Sequence, residues 1–103
     1  MNSETVGAND DGGLYTILLV EDCAADTVLT KCRVRDLWPD SKVVPVRSLE
    51  DAYKTYAEHN FNLVLLDLNL PDSHGAETVK EIRNFNQKVP IVVLTGLAFL
   101  EVL

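Results

Sequence analysis

Apolar and polar residues come in blocks of two kinds along this chain. Residues 15–20 (YTILLV) form a short, almost wholly apolar run, which predicts a strand buried on both faces. Residues 24–37 instead repeat apolar residues at helical spacing. Ala25, Val28, Leu29, Cys32 and Leu37 make one stripe, and Trp38-Pro39-Asp40 stops the helix because proline cannot continue it. Residues 43–46 (VVPV) read as a strand, and Pro45, lacking an N–H, puts it at a sheet edge. Ser48 opens the next helix, with Asp51 three residues on in a variant capping box. Leu49, Ala52, Tyr53, Tyr56 and Ala57 form its predicted inner face. Residues 61–66 are a further buried strand, closed by Asp67. Residues 71–75 (PDSHG) are turn chemistry, residues 76–85 a helix carrying Val79, Ile82 and Arg83, and residues 91–94 a strand ending on Thr95-Gly96.

Short strands alternating with short helices predict an α/β fold: a doubly wound parallel sheet with helices on both faces and right-handed crossovers. Ligands of such sheets bind beyond the carboxyl ends of the strands. Three of the strands here end in polar residues: Glu21-Asp22, Asp67 and Thr95. Taken singly, each has an ordinary explanation. Glu21-Asp22 suits a helix start, Asp67 an Asx turn, and Thr95 a strand-end hydroxyl. Asn69, His74 and His59 read as turn, loop and helix-end residues. Taken together, three carboxylates in one crevice repel one another, and a hard divalent cation relieves that repulsion. Mg²⁺ takes a few carboxylate or carbonyl oxygens and keeps several waters. Asp67 beside it would serve as a nucleophile toward phosphorus, with Thr95 donating to a phosphoryl oxygen.

Charge and composition narrow the classes. A net charge of −7 over 103 residues argues against nucleic-acid binding, which needs clustered Lys and Arg. The sequence lacks an apolar run long enough for a transmembrane span, and the start has neither a basic segment nor an apolar one, so no membrane partner or signal peptide is expected. Residues 1–13 read as a disordered acidic tail and residues 14–103 as one domain. Cys23 and Cys32 have no metal-ligand or disulfide spacing, which makes a reduced cytoplasm the default location.

Residues 17–22 (ILLVED), 63–75 (LVLLDLNLPDSHG) and 89–96 (VPIVVLTG) resemble the receiver domains of two-component response regulators, the fold of the chemotaxis regulators, from about residue 15 to residue 96. The resemblance implies that Asp67 accepts a phosphoryl group from a phosphohistidine on a sensor histidine kinase or phosphotransfer protein. It implies that Asp22 binds Mg²⁺ directly, Glu21 through water or as a supporting acid, and Asn69 through its backbone carbonyl. Thr95 would contact the phosphoryl group and move on activation, while Pro71 and Gly75 shape the loop. The family strand order, 2-1-3-4-5, agrees with Pro45 at the edge.

The sequence also departs from that family. Seven residues follow Gly96 and none is a lysine; Lys80 and Lys88 both precede the fourth strand. The expectation is therefore a receiver truncated before its fifth strand and last helix, with the fourth strand as an edge. Residues 97–103 (LAFLEVL) carry five large apolar side chains. Burying them is worth roughly 7–15 kcal/mol at about 1.5–3 each, comparable to the roughly 5–15 kcal/mol of a whole domain. They are expected to cover the open edge, preferably as a helix, within the chain or across a homodimer. Two function classes compete: a phosphoacceptor signalling module, and a non-switching interaction or dimerisation module. A haloacid-dehalogenase-like phosphatase would need an aspartate where Asn69 stands. A nucleotide-binding fold would need a Gly-rich loop after the first strand.

Overall fold

The computed structural model describes residues 15–95 and 98–102, with side chains for 15–94. The tail expected over residues 1–13 lies outside the described residues. Seven strands and three helices follow in the order β1 (Thr16–Val20), α1 (Ala24–Leu37), β2 (Lys42–Val46), α2 (Leu49–Glu58), β3 (Leu63–Asp67), β4 (Asn69–Leu70), β5 (Ser73–His74), α3 (Ala76–Phe85), β6 (Ile91–Thr95) and β7 (Ala98–Val102). The main sheet has the order β2-β1-β3-β6-β7, and β4 pairs with β5 in a small hairpin.

The first four positions of the main sheet are parallel, as the alternating pattern predicts. β1 is buried along its whole length, because both faces of a doubly wound sheet are covered. Leu18, Val20, Val64, Leu66 and Ile91 pack on one face with Leu49 and Ala52 of α2 and Ile82 of α3. Ile17, Leu19, Leu65 and Leu94 pack on the other with Val34 of α1. β2 is an edge, as Pro45 required. The Lys42 N–H donates to the Tyr15 carbonyl and the Val46 carbonyl accepts from the Glu21 N–H, so 42 and 46 turn their backbone groups toward β1. Pro45, one residue out of phase, points the other way, and its missing donor costs no ladder bond.

Three expectations need correction. Residues 98–102 cover the open edge of β6 as expected, but as an antiparallel strand rather than the preferred helix, with Thr95 opposite Ala98 and Val92 opposite Val102. Consequently β6 is an interior strand rather than an edge. Pairing the backbone of residues 98–102 with the open strand covers that edge directly. The α1 stripe is also rotated. Thr30 and Val34 are buried, whereas Ala25, Val28, Leu29, Cys32 and Leu37 are exposed. In α2, Leu49 and Ala52 face the core as expected, but Tyr53 and Ala57 lie at the surface.

Candidate functional site

The register of the sheet brings the acidic strand ends together. Val20 pairs with Leu66, so Glu21 and Asp67 are the next residues along two adjacent strands. Glu21, Asp22 and Asp67 each offer a carboxylate oxygen within 4.8 Å of the other two. Glu21 is the most enclosed, at 4% exposure, while Asp22 and Asp67 are partly buried.

Burial pushes the Glu21 carboxyl up from 4.5 to about 7. The Cys23 N–H, donating to its Oε2 at 3.2 Å, works in the opposite direction, and Asp67 and Asp26 raise it further. A side-chain hydrogen bond with Asp67 is part of what favours the protonated form of Glu21. Burial first, and the neighbouring carboxylates after it, disfavour the ionised form. Two oxygens bound to one Mg²⁺ lie at most about 4.2 Å apart, twice a bond of about 2.1 Å. A spread of up to 4.8 Å therefore suits a hard cation held by some of these acids directly and by another through water. The donor set fits Mg²⁺: all ligands are oxygens, and the buried charge calls for a cation.

The loop after β3 is short and closed. Asp67 Oδ1 accepts from the Asn69 N–H at 3.1 Å, an Asx-type turn. Asn69 and Leu70 pair with His74 and Ser73 across the Pro71-Asp72 turn. The Gly75 N–H donates to the Leu68 carbonyl at 2.7 Å. Gly75 has φ +61° and ψ −146°, a backbone state essentially limited to glycine, and it starts α3 from there. Thr95 ends β6 one residue past Leu94, the register partner of Asp67, while its side chain lies outside the described ones.

Residues 17–101 match the response regulator receiver domain. The chain belongs to that family. The match embraces the acidic strand ends, the loop after β3 and the β6–β7 pair. Among curated relatives, the swarming motility regulation protein RssB of Serratia marcescens is 39% identical over 82 residues, covering 78% of this chain and 36% of that protein. The phosphorylated cyanobacterial phytochrome response regulator RcpA superposes with a TM-score of 0.66 at 31% identity, covering 78% of this chain and 64% of that one. The Mn²⁺-bound form of the response regulator Rcp1 gives 0.67 at 33% identity, covering 79% and 65%. The chain spans 36–38% of the length of the first curated relatives it matches.

Receivers are signalling modules of two-component systems rather than classical enzymes, and the acidic pocket of the family is where it binds Mg²⁺. Among the described residues no helix is long and apolar enough to cross a membrane. The receiver shares the expected pocket but adds partners that local sequence patterns do not reveal. Arg47 Nη2 donates to the Asp22 carbonyl at 3.3 Å. Asn69 Oδ1 lies 3.0 Å from His74 Nδ1. Asp72 accepts from the Leu49 and Glu50 N–H groups at 2.9 and 3.0 Å. These contacts span 25 positions, 5 positions and, for the two Asp72 bonds, 23 and 22. Only the middle one, across a Pro-Asp turn, carried a local signal.

Proposed function

We propose that this receiver accepts a phosphoryl group on Asp67 from a phosphohistidine of a sensor histidine kinase or phosphotransfer protein, in a Mg²⁺-dependent reaction. The observation that carries this reading is the meeting of Glu21, Asp22 and Asp67 within 4.8 Å at the end of the parallel sheet. An Asp67 oxygen forms the new O–P bond as the N–P bond of the donor breaks, and the released imidazole nitrogen takes a proton. Bound Mg²⁺ supplies charge neutralisation for the phosphoryl oxygens.

Asp22 and Asp67 hold the cation through their carboxylates and Asn69 through its backbone carbonyl. Glu21 acts through water or as a supporting acid. The Asn69 N–H, by donating to Asp67 Oδ1, leaves the other oxygen as the attacking one. Thr95, at the end of the strand beside β3, contacts the phosphoryl group and moves on activation. A cytoplasmic location goes with that donor. The reading also includes a homodimer, formed through the outer edge of β7 rather than through an unpaired tail.

Intact mass after incubation with Mg²⁺ and a small phosphodonor tests the proposal. One phosphoryl adduct is expected, and it should be absent from Asp67→Asn. A folded protein without any adduct would replace this reading with a non-switching interaction module.

A further inference from the structure

The two loops that form the acidic pocket come from different strands, yet both are tied to one short segment between β2 and α2. On one side, the Glu21 N–H donates to the Val46 carbonyl at 3.0 Å and Arg47 donates to the Asp22 carbonyl. On the other, Asp72 takes the first two N–H groups of α2. A helix start leaves four N–H groups without intrahelical partners. In α2 the labour is divided. Ser48 caps locally, its Oγ accepting from the Asp51 N–H at 3.1 Å, while the first intrahelical bond runs from the Ala52 N–H to the Ser48 carbonyl at 3.1 Å. The N–H groups of Leu49 and Glu50 are satisfied from the loop that follows Asp67.

Helix capping alone does not require so remote a residue, because a local side chain could serve. The geometry around Asp72 explains the difference. Asp72 sits at the tip of the β4–β5 hairpin, and that hairpin begins at Asn69, the residue whose N–H orients Asp67. Leu70 is buried in the core cluster that also contains Val46 and Leu49. One apolar anchor and one charged clasp therefore hold the hairpin against the start of α2. The hydrogen bonds from two backbone N–H groups keep the Asp72 carboxylate ionised, holding it below its ordinary range.

We propose that Asp72 is a positioning residue for the metal and phosphoryl site: its two-pronged clasp on α2 fixes the hairpin that presents Asn69 and Asp67, and so sets the affinity of the pocket for a divalent cation. This rests on the phosphoacceptor reading for its consequence but not for its geometry. Partners of this kind behind a ligand loop typically change metal affinity about 10- to 100-fold when removed.

The test compares Asp72→Ala and Asp72→Asn with Ser48→Ala in the full 103-residue chain. Ser48→Ala weakens the same helix start without touching the hairpin. Two readouts are taken: hydrogen exchange of the amides of residues 68–75 without metal, and Mg²⁺ affinity by calorimetry. Asp72→Ala is expected to accelerate exchange in that segment and weaken Mg²⁺ binding about tenfold. Asp72→Asn, which keeps one acceptor, should fall between it and the parent. Ser48→Ala should lower the melting temperature while leaving both readouts within about twofold.

Equal changes in Asp72→Ala and Ser48→Ala, or none in either, would overturn the proposal. A parent protein that binds Mg²⁺ but forms no phosphoryl adduct would sink the phosphoacceptor reading and leave the clasp supported or refuted by its own two readouts. A parent that binds no Mg²⁺ would refute the role in cation affinity, whatever the exchange shows.

Discussion

Glu21 is the residue in which fold and chemistry conflict most directly. Its carboxyl is raised to about 7, so ionising it costs the folded state free energy that the unfolded chain does not pay. The metal-free protein is therefore relatively more stable below pH 4.5, loses stability as pH rises from 4.5 to about 7, and is flat in this respect above that. Denaturant melts across that range should show the decline in the parent, and Glu21→Gln should abolish it. Mg²⁺ should flatten the same profile, since the cation favours the ionised form. Its apparent affinity should climb with pH up to about 7, because binding releases the Glu21 proton. These residues were readable as acids at strand ends; their order of burial was not. Which carboxylate is enclosed depends on the packing of the β1–α1 connection, where Glu21 is held between Val46 and Cys23.

At the scale of elements, the strands and the starts of the helices were legible because they depend on local chemistry. Ser48 caps α2 as its spacing suggested, and α1 spans the fourteen residues that Pro39 delimits. The phase of α1 was not legible. Two sets of positions share helical spacing, Ala25-Val28-Leu29-Cys32 and Thr27-Thr30-Lys31-Val34, and the first is the more apolar. Periodicity establishes that a helix has faces, but tertiary packing chooses which face turns inward. Here Thr30 and Val34 turn inward, with Val34 at 0% exposure against 60% for Val28 and 44% for Leu29. Val34→Ala is expected to cost about 2–3 kcal/mol as a core truncation, and Leu29→Ala less than about 0.5 kcal/mol as a surface change. Urea titrations of the two variants check this, and equal costs would contradict the rotation. The Asp72 clasp was hidden for a related reason: its partners are distant in sequence, and only the assembled sheet brings the hairpin to α2.

Across the whole molecule, the parallel core could be deduced from the alternation of elements, whereas the direction of β7 could not. The five large apolar side chains of residues 97–103 state that something must be covered without stating how. β7 now stands last in the sheet, opposite β2 at the other margin. A strand margin with unpaired backbone groups is a template for another copy. Sedimentation at raised concentration is expected to give twice the monomer mass and nothing larger, and a monomer throughout would remove the homodimer from the proposed function. The absence of larger species follows from Pro45. Its ring occupies the outward row of β2, where a joining strand would look for a donor. The sheet can therefore be extended from one side only. Polymerisation by strand addition, the route to fibrils, needs two sticky ends, and a molecule with one closes with its first partner.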